Sequence, residues 1–134
     1  MTWNRMQFTS TQERGNNMKI LKSTEGLKAA EIYNLTKGSG IRKMQDAKGE
    51  VLTAAKYVLY EDQDQKGETM QVLALETAAG VRYATNSKTF IRNFFDIIST
   101  FEGMGEEFNM CFLVGNGISK NGREYLTCDI GYSA

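Results

Sequence analysis

The chain has 134 residues, of which 24% are charged and 41% apolar, with 16 basic residues against 16 acidic ones. That length suits one globular domain around a single core. Zero net charge argues against an indiscriminate polyanion binder but leaves room for a local basic groove, and the absence of histidine removes His triads, His acid–base chemistry and His metal ligands.

Residues 1–17 (MTWNRMQFTSTQERGNN) hold Trp3 and Phe8 but keep neither helical nor strand periodicity. Met18 then opens MKILKSTEG, which reads like a natural start. Glu13-Arg14-Gly15 can be encoded by a purine run containing AGGGG, with two Asn codons before that of Met18. This resembles a ribosome-binding site translated as protein. The expectation is a flexible leader over 1–17 and a single domain over 18–134; an ordinary flexible N-terminus is the plainer alternative.

Ser23 or Thr24 is expected to cap a short helix running to about residue 36, with Glu25 and Glu31 suited to its N-terminal half. Leu27, Ile32, Tyr33 and Leu35 give it an apolar side, and Gly38-Ser39-Gly40 ends it. Residues 41–46 read as a short extended or irregular piece, and 47–49 as a turn.

Three strands follow. Residues 51–60 (VLTAAKYVLY) are rich in β-branched and aromatic types. The polar turn 61–67 leads to 68–77 (ETMQVLALET), and Ala78-Ala79-Gly80 leads to 81–85 (VRYAT). Connections this short imply an antiparallel meander. Asn86 or Ser87 then caps a helix to about residue 101. Phe90, Ile91, Phe94, Ile97, Ile98 and Phe101 recur at spacings of three and four, as a core-facing stripe requires.

Residues 108–114 (FNMCFLV) and 123–132 (REYLTCDIGY) are the two strands of a final hairpin. Asn121-Gly122 between them is a type I′ turn signal. In that register Cys111 faces Tyr132 and Cys128 faces Gly115, so the two cysteines cannot bridge. Both read as free buried thiols in a reducing compartment. No apolar run reaches the ~18 residues of a membrane span, and no signal peptide is visible in the first twenty residues, which are polar and lack an apolar central region; a cytoplasmic protein is expected.

Strand, strand, strand, helix, strand, strand is the order of the OB-fold. The expected architecture is therefore mainly β with two helices: an OB-like five-stranded antiparallel barrel preceded by a short N-terminal helix. The open face of that barrel often holds oligonucleotides.

Catalysis has little to draw on. Asp62 and Asp64 lie in a turn, where solvated acids are normal, and the spacing is not that of a Ca²⁺ loop. Gly38-Ser39-Gly40 and Gly115-Asn116-Gly117 lack the strand–loop–helix setting of a phosphate loop. The chain is read as a non-enzyme with no metal and no cofactor. Binding is better supplied. Single strands need cations along their backbone and rings for their bases. Lys56 neighbours Tyr57, with Tyr60 beyond; Arg82 neighbours Tyr83; Tyr125 follows Arg123. More cations stand at Lys37, Arg42, Lys43, Lys48, Lys88 and Arg92. Strand neighbours point to opposite faces, so Lys56 and Tyr57 cannot both line one surface, nor can Arg82 and Tyr83; each tyrosine is either a core ring or a stacking ring.

The stretches IYNLTKGSGIRKMQDAKGEVL, LYEDQDQKGETMQVLALET, VRYATNSKTFIRNFFDI and SKNGREYLTC carry a resemblance. Met44-Gln45-Asp46-Ala47, Tyr83-Ala84-Thr85-Asn86-Ser87 with Thr89-Phe90, and Gly122-Arg123 are its most distinctive pieces. Across residues 27–128 the chain resembles the small single-stranded DNA-binding proteins of bacteriophages and prophages of Gram-positive bacteria. The resemblance implies a protein that coats and protects exposed DNA during phage or mobile-element replication, without strong sequence preference. Single-stranded DNA is then the partner, with replication proteins and further copies of the chain beside it. Arg42, Lys43, Lys56, Arg82, Lys88 and Arg92 are the candidate phosphate contacts, and Tyr57, Tyr60, Tyr83 and Tyr125 the candidate stacking rings. The rival reading is a non-enzymatic protein-interaction module of a phage, a host-factor inhibitor or an assembly accessory, working through exposed strand edges.

Overall fold

The structure is a computed structural model that describes residues 18–131; the leader expected over 1–17 lies outside them, as does Tyr132. In chain order the elements are β1 (Lys19–Ser23), α1 (Ala29–Thr36), β2 (Arg42–Lys43), a 3-10 turn (Met44–Ala47), β3 (Val51–Gln63), β4 (Thr69–Thr77), β5 (Arg82–Thr85), α2 (Lys88–Gly103), β6 (Cys111–Ile118) and β7 (Glu124–Ile130). The fold is mainly β, and the sheet curls strongly into a half-barrel. Its strand path is β2-β5-β4-β3-β6-β7, with β1 paired to β3 off that path.

The five-stranded expectation is corrected to seven strands. Both additions lie in the N-terminal third. Thr24 does not cap a helix: its amide donates to the Tyr57 carbonyl at 3.1 Å and its Oγ1 accepts from the Tyr57 amide at 2.9 Å. It thereby extends the antiparallel pairing of β1 with β3. The helix begins at Ala29 instead, where the Glu31 carboxylate accepts the Lys28 amide at 3.0 Å and satisfies one orphan donor. Residues 42–43 pair parallel with β5, Arg42 beside Tyr83 and Lys43 beside Ala84.

β3 joins the two halves of the curl. Its first residues pair with β6, and from Ala54 onward it pairs with β4. A register shift between Ala54 and Lys56 marks the crossing, because an extra residue on one strand bends it and raises its twist. The final hairpin is tighter in register than expected. Gly122 takes φ +80° and its amide donates to the Ser119 carbonyl at 2.9 Å. Asn121 stays at negative φ, so the loop is a type I turn closed by a left-handed Gly rather than a type I′ turn. The added loop residue shifts the pairing by one. Cys128 faces Val114, and the Gly131 amide reaches the Cys111 carbonyl at 2.9 Å. Both cysteines are free and buried, and burial, with Asp129 nearby, pushes the Cys128 thiol up to about 12. β6 also starts later than expected, at Cys111, because Met110 takes φ 60° and Asn109 Oδ1 accepts the Cys111 amide.

The main core lies between the concave side of the sheet and α2. Ser87 caps that helix, its Oγ accepting the Phe90 amide at 3.2 Å. Phe90, Ile91 and Phe94 are buried, while Ile97, Ile98 and Phe101 are half-buried. Phe94 stacks on Phe112 of β6 at 4.4 Å. A second, smaller cluster occupies the other side of β3 and β4, where Leu35 of α1 covers Val58, Tyr60, Val72 and Ala74. Burial on both sides explains why VLAL (72–75) runs apolar without alternation.

Two ion pairs pin α1 down: Lys56 to Glu31 and Lys37 to Asp62, each at 2.9 Å. The Lys28 amide and then the Lys56 ammonium hold the Glu31 carboxyl below its ordinary value. At Asp62 burial acts upward, but hydrogen bonds from Lys37 and the Gln63 amide outweigh it and leave a lowered pKa. A carboxyl with a lower pKa folded than unfolded stabilises above its unfolded value, ~3.9 for Asp and ~4.3 for Glu. That stabilisation is lost as pH falls through the folded value. The melting temperature is therefore expected to fall on acidification below about pH 4, and to fall less in Asp62→Asn. Equal losses in both proteins would refute the Asp62 contribution.

Candidate nucleic-acid interface

The six candidate phosphate contacts separate into two groups. Lys56, Glu76 and Arg82 lie across β3, β4 and β5 in direct register. Arg82 Nε donates to Glu76 at 2.9 Å, and Lys56 meets Glu31 at 2.9 Å and Glu76 at 3.8 Å. The Glu31 hydrogen bond raises the Lys56 pKa. These two cations are occupied by carboxylates on the side that α1 covers. Arg42, Lys43, Lys88 and Arg92 are exposed and make no ion pair among the described residues. Register brings Lys43 beside Ala84, four positions before Lys88, and Lys88 and Arg92 share one helix side at i, i+4. Of these four, Arg42 and Lys43 lie on β2 beside β5, and Lys88 and Arg92 lie at the start of α2, which follows β5 in the chain.

The rings divide more sharply. Tyr83 is 6% exposed within the main core. Tyr57 is half-buried and meets Phe94 and Phe95 edge-to-face at 5.3 and 5.6 Å. Burial, with Glu102 adding to it, raises its phenol pKa. Both face the concave core, so neither offers a stacking surface. Tyr60 is buried in the cluster under α1, its pKa raised by burial and by Asp62. Tyr125 alone of the four is substantially open, at 41% exposure. Truncating Tyr83 to Ala should therefore cost about 3 kcal/mol of stability, read as a shifted urea midpoint. A loss below about 1 kcal/mol would contradict its burial.

A trough runs over the segment that links β5 to β7. Met44 and Ala47 of the 3-10 turn are buried and anchor it to the main core. The Gly49 amide donates to the Val114 carbonyl at 2.7 Å, and Lys48 Nζ bonds both carboxylate oxygens of Glu124 at 2.9 and 3.0 Å. One groove of about 460 Å³ is walled by Lys43, Gln45, Tyr60, Met70, Ala84 and Asn86, among others. A second, of about 280 Å³, is lined by Gln45, Asp46, Lys48, Glu124, Tyr125 and Leu126. They share Gln45 and Leu126 in their linings and so adjoin. The larger lies within the ~300–1,000 Å³ of ordinary ligand clefts. Tyr125 reaches this place because Gly117, its partner on β6, has no side chain: a Cβ there would stand 2.5 Å from the Tyr125 ring.

Sequence reasoning did not select Gln45, Asn86, Glu124 or Lys48 as site residues. Lys48 was visible as a cation, but its pairing with a residue 76 positions away was not. The MQDA turn carries that information only once it is known to lie between β5 and β7. The free backbone edge of β7 is also covered: Asn93 of α2 accepts the Cys128 amide at 3.4 Å. Among the described residues no cluster of three or more acidic, Cys or His side chains suits a metal ion, and no helix is long and apolar enough to cross a membrane. Comparison with protein-family models, with curated proteins and with solved structures gives no match.

Proposed function

We propose that this protein binds single-stranded DNA in the trough above the 3-10 turn, coating exposed strands during phage or mobile-element replication. The fold it would use is OB-like: β3-β4-β5, then α2, then β6-β7, with β3 shared between β4 and β6 and the segment 42–47 inserted between β5 and β7. The observation that carries the reading is the trough, with Lys43 on its wall, Tyr125 in its second groove and unpaired cations at Arg42, Lys88 and Arg92 nearby. Phosphates would meet those cations and a base would lie on Tyr125. The protein would work in the host cytoplasm, alongside replication proteins and further copies of itself, without catalysis.

Oligo-dT titration at two salt concentrations tests this. Four single-strand phosphate contacts give a slope of log K on log[salt] of about −3, at roughly 0.7 per contact. A second reading, a phage protein-interaction module, is favoured by zero net charge and by Ile118 at 70% exposure and Tyr125 on the last hairpin. Folded protein that leaves oligo-dT unbound at low salt would favour that module.

A further inference from the structure

Glu124 sits in the second groove as a carboxylate already bound to the groove's cation. Its two oxygens take both short hydrogen bonds from Lys48, and Asn116 Nδ2 donates to Oε2 at 2.8 Å. The geometry is that of a small anion site with its anion supplied by the chain. Two donors, an ammonium and a carboxamide, converge on one pair of oxygens in a groove that Tyr125 also lines. Both partners of the pair are open to solvent, Lys48 at 38% and Glu124 at 52% of the side chain. An ion pair so exposed is weak and exchangeable. A phosphate carries the same oxygen acceptors with as much charge or more.

We propose that Glu124 is a built-in competitor for a nucleic-acid phosphate. The strand's phosphate would displace the carboxylate from Lys48 and Asn116. This rests on the single-strand reading above and adds the regulation of that site: Glu124 lowers affinity and speeds release, so that bound strands exchange readily. It also follows that Lys48, neutral in effect while paired, contributes a phosphate contact only in the complex. The carboxylate it releases is repelled by the bound strand, which limits the net gain from that contact.

The experiment is fluorescence titration of oligo-dT with wild type, Glu124→Gln, Lys48→Gln and Glu107→Gln. Glu107 is exposed and precedes the far end of β6, so its variant carries the same change of net charge without touching the groove. The Gln at 124 keeps the size and an acceptor oxygen, which preserves the hairpin. Glu124→Gln should bind at least about threefold more tightly, with faster loss of affinity in salt, the slope steepening by up to ~0.7. Glu107→Gln should change little and Lys48→Gln should bind more weakly. Wild type that binds while Glu124→Gln matches Glu107→Gln would overturn the competitor role and leave the single-strand reading standing. Binding by Glu124→Gln alone supports both. Silence from all four folded proteins overturns both.

Discussion

Phe94→Ala is expected to remove about 3–5 kcal/mol of unfolding free energy. Phe94 is fully buried, stacks on Phe112 at 4.4 Å and takes the edge of Tyr57 at 5.3 Å. It touches β3 through Tyr57, β6 through Phe112 and its own helix through Phe90 and Phe95. Tyr57 and Phe95 already meet edge-to-face at 5.6 Å, which restrains both from collapsing into the space. For a domain of this size such a loss approaches the whole margin of stability. Urea denaturation followed by circular dichroism measures it. A midpoint shift equivalent to less than about 1 kcal/mol would mean that α2 is not the keystone of the core.

The second large effect concerns binding. Reversing two unpaired cations at once, Arg42→Glu with Lys43→Glu, is expected to weaken oligo-dT binding at least about tenfold at low salt and to flatten the salt slope by about 1.4, two contacts at roughly 0.7 each. Both side chains are exposed on a two-residue strand and neither makes an ion pair among the described residues, so the fold should tolerate the change. Lys56→Gln is the informative contrast. Lys56 already faces Glu31 and Glu76, so its loss should alter affinity by less than about twofold. Equal losses from both variants would mean that the strand crosses the Lys56–Glu76–Arg82 row.

Much of the fold was legible because local signals agreed with tertiary demands. The α2 stripe, the Ser87 cap and the three strands of the meander each had one dominant pattern. The misread parts had competing ones. Ser23, Thr24 and Glu25 form a plausible helix start, yet Thr24 spends its hydroxyl and amide on Tyr57 of β3. That bond depends on a strand 33 positions away. Residues 42–43 are too few to show period-two alternation, and a parallel partner leaves no turn signal between the strands. At Asn121-Gly122 the dipeptide correctly marked a hairpin; only the backbone of Asn121 decided its type, and with it the one-residue register shift.

The site was less legible than the fold, for a related reason. Lys–Tyr and Arg–Tyr neighbours look like binding pairs in sequence, but alternation sends one member inward. Tyr57 and Tyr83 went to the concave core, and Lys56 and Arg82 to a salt-bridged row. Tyr60 illustrates a further limit. It lies on the side opposite that core and would be solvated if α1 were elsewhere; Leu35 buries it. What survives as a candidate surface sits at the edges of elements, at β2, the 3-10 turn, the start of α2 and the last hairpin, where periodicity carries least information.

The most direct test is residue-by-residue. Backbone amide shifts of isotopically labelled protein, followed by NMR as oligo-dT is added at low salt, report where the strand lies. The account predicts the largest changes at Lys43, Gln45, Lys48 and Tyr125, continuing toward Lys88, with Lys56 and Arg82 nearly still. Changes centred on Lys56, Glu76 and Arg82, with Lys43, Gln45, Lys48 and Tyr125 silent, would contradict it.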